Sequence, residues 1–397
     1  MSSAVPSTPP PLPLTRRNPF DPPEELGLWR DEAPIRRMTY SDGHVGWLVT
    51  GQSAARAVLS DPRFSCRAEI QHPPMGPPDD QQSSPAPPGF FLLMDPPDHT
   101  RYRRLLTGQF TVRRMKSLEP RIAAIVADHL DAMAAAGPPA DLVQEFALPV
   151  PSLVICELLG VPYADRAGFQ RDSVLLISFD LPEEEREAAL QRMTTYLAEL
   201  TAHKRTHPAD DLLSGLAARP EPTDTEIAGM ASLLLLAGHE TTANMLALGT
   251  FALLQNPTQL EAVRDAATVG AAVEELLRHL SIVFVVVRTA REDIEIEGRP
   301  IRAGESVTVS LAAANRDPRH FPAAERLDVA GGRMGHLAFG HGVHQCLGQQ
   351  LARTEMRLAY PALLRRFPAL RLAIPAEQVP LRAGTTIHGV TRLPVTW

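Results

Sequence analysis

FGHGVHQCLGQQLAR, residues 339–353, holds one cysteine behind a glycine-punctuated turn and ahead of a helical pattern. Gly340 and Gly342 permit backbone angles and close approaches that a side-chain β carbon resists, so the segment can lie against a flat ligand. After Cys346 the periodicity is helical, with Leu347, Leu351 and Met356 apolar, Arg353, Glu355 and Arg357 polar, and an end near Phe367-Pro368. Cys346 therefore stands at a helix N-terminus, where free backbone N–H groups and the helix dipole favour a thiolate. A buried thiolate with no partner is costly, so something positive should meet it, and a metal ion would. The plain alternative is a core cysteine packed like a small hydrophobe.

The stretch matches the pattern Phe-Gly-x-Gly-x-His-x-Cys-x-Gly at Phe339, Gly340, Gly342, His344, Cys346 and Gly348. In this it resembles the haem-ligand signature of the cytochrome P-450 family. The resemblance implies a mainly α fold with small β-sheets, α+β in class, with a long central helix over a buried haem b. It also implies that Cys346 is the axial thiolate of the haem iron, pushing electron density toward bound dioxygen to favour O–O cleavage. Phe339, Gly340 and His344 would then be haem contacts.

Composition sets outer limits. The chain has 397 residues, no internal repeat and no linker between two cores, so residues 19–397 read as one domain. Residues 1–18, rich in proline, read as a disordered or polyproline arm. A net charge of -7 and a pI near 6.0 give no sign of a nucleic-acid or anionic-membrane partner. Cys66, Cys156 and Cys346 are odd in number and widely spaced, which argues against a disulfide framework and for a reducing compartment. With no basic-then-apolar leader, the expectation is a cytoplasmic, soluble monomer of the bacterial type.

Asp42-Gly43 marks a hairpin within Ile35 to Thr50, and a short helix is expected from Ala54 to Ser60. The Pro- and Gly-dense segment 71–89 leads into Phe90, Phe91, Leu92, Leu93 and Met94. By resemblance it roofs the substrate pocket, which makes Phe90, Phe91 and Leu93 candidate substrate contacts. His99 and Arg103 lie four apart on one helical face and resemble a pair that holds a haem propionate. From Arg101 to Lys116 there are six basic residues and no acidic one. Because the family's electrons come from NAD(P)H through a ferredoxin reductase and a small acidic ferredoxin, Arg101, Arg104 and Arg113 are candidates for docking.

Helices are expected over Ile122–Ala135, Leu142–Leu159 and Asp165–Thr206, the last broken at Asp180 to Pro182. The pair beside Pro182 resembles the family's lid helices, so Leu175, Leu176 and Ile177 could face substrate. Thr223 and Glu226 form a capping-box pattern opening a helix that runs to Gln255, roughly 48 Å at 1.5 Å per residue. Its middle carries Ala237-Gly238-His239-Glu240-Thr241-Thr242, a polar cluster in an otherwise apolar helix. Threonines bonding back to carbonyls a turn earlier would by themselves explain a bend. The cluster resembles the family's Ala-Gly-x-Glu-Thr notch, which implies Thr241 as the oxygen-contacting hydroxyl, Glu240 as the proton relay and Ala237 with Gly238 against the haem. Thr242 is rotated about 100° from that face.

Glu275 and Arg278 resemble the family's buried Glu-x-x-Arg brace. The third brace arginine is missing from its usual place, where Ala330 and Gly331 stand, leaving Arg326 or Arg333 as substitutes. Val283 to Val287 reads as a strand, and by resemblance Arg288 binds a propionate while Phe284, Val285 and Val286 wall the pocket. The terminal strands from Ala383 to Val395 bring Thr386 and Ile387 toward it. The reading is a monooxygenase that hydroxylates or epoxidises a hydrophobic molecule such as a polyketide, macrolide or xenobiotic, and the chain looks most like actinomycete members. Oxidative coupling at the same site and a non-catalytic haem sensor are the alternatives.

Overall fold

The computed structural model describes residues 8–76, 84–177, 182–265, 267–382 and 386–397. The hairpin forms as expected from Ile35–Thr39 and Val45–Val49, with Ile35 opposite Val49, and Gly43 takes the positive φ of 84° that the turn requires. Val45–Val49 runs parallel to Ser306–Ser310, which pairs antiparallel with Val285–Ala290, and Phe64–Ser65 closes the five-stranded sheet. A second hairpin joins Ile294–Ile296 to Arg299–Ile301 through Glu297 and Gly298, both at positive φ.

The arm is corrected from residue 8 onward, residues 1–7 lying outside the described residues. Pro11 bridges Thr39 in parallel, Thr39 donates its N–H to Pro10 O at 3.1 Å and its hydroxyl to Pro9 O at 2.6 Å, and Leu12 is buried beside Met38 and Leu48. Proline has no N–H to give, but its own carbonyl can still accept from an edge strand. The arm therefore covers the free edge of Ile35–Thr39.

Helices dominate the rest. Asp224–Leu254 spans 31 residues, and its Thr223/Glu226 capping box is present in both directions. It is buried along most of its length and packs against Pro149–Leu159, Glu183–Thr206 and Gln349–Arg366, so the main core surrounds it. The helix expected from Ile122 begins earlier, at Val112, where the Thr111 hydroxyl caps it. The helix expected over Leu142–Leu159 instead opens as a π-turn at Val143–Ala147 before Pro149–Leu159, because Pro149 and Pro151 lack the amide donors a regular turn needs. The lid pair forms as Arg166–Ile177 and Glu183–Thr206, with 178–181 outside the described residues. No helix among the described residues is long and apolar enough to cross a membrane.

Candidate active site

The cysteine loop forms the floor of a large cavity against the long helix. Phe339 O accepts the Cys346 N–H at 2.8 Å, and Gln349–Arg366 begins three residues later. Gly340 and Gly342 have φ of 69° and 73°, the left-handed region. Only Gly342 also answers a close approach, since a β carbon there would lie 2.2 Å from Leu59 O. Burial pushes the Cys346 thiol up, opposed by hydrogen bonds from the Gly348 and Gln349 amides and by the charges of Arg103 and Arg353. Burial is the largest influence, so helix position alone does not make a thiolate here, and a cation bound at sulfur is what would do so.

On one side of the cavity four nitrogen-bearing side chains converge. His99 is buried with neither ring nitrogen hydrogen-bonded, and burial, then Arg103, brings its pKa down to about 4. Arg103 donates to Gln345 O at 2.6 Å and Arg288 to Val287 O at 2.7 Å, and neither has an ion-pair partner among the described residues. The ring of His344 lies 4.0 Å from that of His99, and its pKa falls to about 3 through burial, then Arg288 and His99. Two guanidiniums without acids and an imidazole without partners demand anions from outside the chain. A flat ligand bearing two carboxylates, as haem does, fits that demand.

The opposite wall is the helix notch. The Thr241 hydroxyl donates to Ala237 O at 2.7 Å, and Ala237, Gly238, Thr241 and Thr242 all line the cavity. Thr242 was expected to turn away and does not. Gly238 packs beside Ile155, whose Cδ1, the movable end of its side chain, would lie 2.8 Å from an added β carbon. Glu240 is not among the lining residues: it is buried, its Oε1 lies 2.6 Å from Arg382 Nη2, and burial raises its pKa against the pull of Arg382. His239 points elsewhere, toward Leu148 O at 3.1 Å.

The expected substrate contacts divide. Phe91, Val285, Val286, Thr386 and Ile387 line the cavity. Phe90 and Leu93 do not, and Leu92 does, because the 3-10 turn Phe91–Leu93 sets which side chains face inward. Phe284 also misses the cavity and packs beside Leu12 and Met38 under the Arg16 guanidinium. The side chains of Leu176 and Ile177 lie outside the described residues. Arg101, proposed for docking with Arg104 and Arg113, is 35% exposed and pairs with Glu226 at 2.6 Å and Glu221 at 3.5 Å. Arg104 and Arg113 are exposed and carry no ion pair among the described residues. Glu275 and Arg278 are fully buried, bonded through both oxygens at 2.8 Å, and away from the cavity. Arg333 supplies the third cation, 3.4 Å from Glu275 Oε1, while Arg326 lends only its carbonyl.

Three residues escaped the sequence reading. Cys66 donates its thiol to Met94 O at 3.2 Å, lies 3.1 Å from His344 Nε2 and approaches Asp95. Burial drives that thiol up to about 12 against the pull of Arg288, so it stays a neutral thiol beside His344. Glu355 is wholly buried on the cavity wall with Oε2 unpartnered, and burial raises its carboxyl well above the usual range. Its i,i+4 spacing from Leu351 was the available signal, and the polar pattern hid it. Arg382 gave no signal in sequence.

Comparison with known proteins places this geometry. The family model described as cytochrome P450 matches residues 267–393. The protein called cytochrome P-450 105C1, from a Streptomyces species, is 52% identical over the whole of both chains. A vitamin D3 dihydroxylase of Streptomyces griseolus is 45% identical across 98% of this chain and 97% of its own. The crystal structure of CYP105P1 in complex with filipin I superposes with a TM-score of 0.90 at 42% identity, covering 98% of this chain and 99% of that one.

Proposed function

The chain belongs to the cytochrome P-450 family and is a haem-dependent monooxygenase, and from that premise we propose that it hydroxylates or epoxidises an uncharged, largely hydrocarbon molecule, a secondary metabolite or xenobiotic, with electrons from a ferredoxin. The observation that carries the reading is the cavity itself. Cations without acids, a cysteine and a threonine hydroxyl meet there, while the walls beyond them are mostly aliphatic and aromatic. The relative named as a vitamin D3 dihydroxylase and the neighbour solved with filipin I support a reading in which the substrate is an organic secondary metabolite or xenobiotic.

Cys346 Sγ would hold the haem iron, and His99, Arg103, Arg288 and His344 its two carboxylates. The cofactor, once bound, supplies the oxidising chemistry. The chain supplies the rest. Phe91, Val285 and Ile387 orient the substrate and exclude water, and each CH2 they bury is worth about 0.8 kcal/mol whatever molecule carries it. Thr241 holds a proton at Oγ1, lent to Ala237 O. Glu240 is the acid that replenishes it, and its carboxyl reaches the notch only on leaving Arg382.

Supply dioxygen as 18O2 with a ferredoxin, its reductase and NADPH, and screen apolar compounds first by the spin-state shift each induces. Products carrying one heavy oxygen support the reading. A spin shift confined to ionic compounds, or products with no added oxygen, would overturn it.

Four further outcomes concern the relay and the docking face. Glu240→Gln is expected to slow NAD(P)H consumption by roughly 10²-fold, the low end of what a positioned acid contributes. Thr241→Ala should keep consumption near wild type and divert it to peroxide. Arg382→Ala removes the cation that opposes burial, so Glu240 stays protonated to higher pH and the pH limb it governs moves alkaline. An unmoved limb removes Glu240 from the relay. For docking, the Arg104→Glu, Arg113→Glu double variant should slow the first electron transfer by about tenfold at low ionic strength, with the gap closing as salt screens it. Equal rates at low salt dispose of that face as the partner's seat.

A further inference from the structure

The roof of the cavity is set by a crossing of two backbones. Gly89, at φ 84°, lies directly on the long helix, and a β carbon there would stand 2.3 Å from Glu226 O and 2.7 Å from Met230 N. The helix answers with its own glycine: a β carbon on Gly229 would stand 2.0 Å from Pro88 O. Glycine inside a helix costs about 1 kcal/mol against alanine, so a reason for Gly229 is required, and this contact is one. Nothing but hydrogen fits between the two chains.

A hydrogen-bonded peg fixes the same crossing. The Tyr102 hydroxyl donates to Glu226 Oε1 at 2.8 Å, on the residue whose backbone O faces Gly89. Glu226 is itself immobilised, paired with Arg101 at 2.6 Å and accepting the Thr223 N–H at 2.8 Å in the capping box. Its carboxyl is held down to about 2, first by Arg101, so it remains an acceptor at any working pH. Backbone contact and peg act at one place.

The segment leaving that place forms the roof. The Phe90 amide donates to Pro87 O at 3.0 Å and the Phe91 amide to Gly89 O at 2.9 Å, so the chain turns immediately after the crossing. Phe91 then points into the cavity, 6% exposed, while Leu92, 48% exposed, lines its outer part. Gly229 is eight residues ahead of Ala237, roughly 12 Å along the helix axis, and touches no reacting group.

We propose that Gly229 and Gly89, pegged by Tyr102, are positioning residues that fix the height of the Phe91 roof above the haem and so determine which substrates the enzyme accepts. The inference rests on the apolar-pocket reading above. A close-packed backbone contact does not compress, whereas side-chain packing can rearrange, so this roof selects by shape. A methyl group on Gly229 must push Pro88 aside by more than an ångström, and the displacement is passed to Phe91, three residues on.

The test uses two ligands that bind iron directly and differ in reach. Imidazole needs only the iron, while phenylimidazole carries a ring that must fit beneath the roof. In haem-loaded Gly229→Ala, imidazole affinity should stay within about twofold of wild type while phenylimidazole affinity drops roughly tenfold, the value of one buried aromatic ring. Tyr102→Phe, which removes the peg without adding volume, should change the ratio in the same direction by about threefold. If Gly229→Ala folds and the ratio of the two affinities is unchanged, the proposal fails. If it does not fold, an unchanged ratio in Tyr102→Phe has the same force. Loss of imidazole binding and of the thiolate-type carbon monoxide band in wild type would instead strike at the haem reading itself.

Discussion

Cys346→Ser, reduced with dithionite under carbon monoxide, will lack the red-shifted Soret band that the wild-type protein shows, and its monooxygenase activity will fall by about 10³-fold or more, equivalent to about 4 kcal/mol of barrier. The expectation starts from the sulfur. Its surroundings are apolar enough that burial outweighs the Gly348 and Gln349 amides, so a charge there depends on a bound cation. A serine hydroxyl is a far weaker acid than a thiol and a harder ligand, and the same amides cannot make an alkoxide of it. The haem should nevertheless stay, because the carboxylate cradle of His99, Arg103, Arg288 and His344 is untouched and the loop glycines keep their conformation. The variant therefore tests the ligand apart from the fold. A serine variant with the wild-type band would show that the iron takes its axial ligand elsewhere.

The parts of this site legible in sequence are those whose constraints are local. The cap of the long helix needs only Thr223 and Glu226, three residues apart, and forms as read. The cysteine loop carries its backbone requirement in Gly340 and Gly342 and its ligand in Cys346. What escaped depends on partners distant in the chain. Arg101 belongs to a basic run, yet its charge is taken by Glu226, 125 residues away. Glu355 reads as a solvent residue because a carboxyl normally is one, and only the neighbouring walls show that it faces inward. The proline arm looked unable to order itself because it has little apolar surface, but the edge strand needed acceptors and the arm has them. Phe90, Leu92 and Leu93 illustrate the finest limit: a single 3-10 turn decides which of adjacent side chains meets the cavity, and composition carries no trace of it.

Arg278→Ala is expected to cost about 3–5 kcal/mol of stability, a large share of the roughly 5–15 kcal/mol that holds a domain together. Arg278 is fully buried and makes five hydrogen bonds: two to Glu275, and one each to Asn315 O at 2.8 Å, Ala324 O at 2.9 Å and Arg326 O at 3.2 Å. Removing it strands three carbonyls and leaves the Glu275 carboxylate, also fully buried, with Arg333 at 3.4 Å and the Asp328 amide at 2.9 Å. Lysine will not rescue the loss, since one ammonium cannot span a carboxylate and three carbonyls lying in different directions. Arg333→Ala should cost less, about 1–2 kcal/mol, because its pairings are longer and its side chain is 17% exposed. Urea unfolding of the haem-loaded proteins separates the cases, with the midpoint shifting and the slope preserved. A loss from Arg278→Ala no greater than that from Arg333→Ala would remove Arg278 from the centre of the brace. Neither brace residue lines the cavity, so the damage belongs to folding and haem retention, reaching the reaction only through the segments 315–326 that Arg278 ties to its helix ahead of the Cys346 loop.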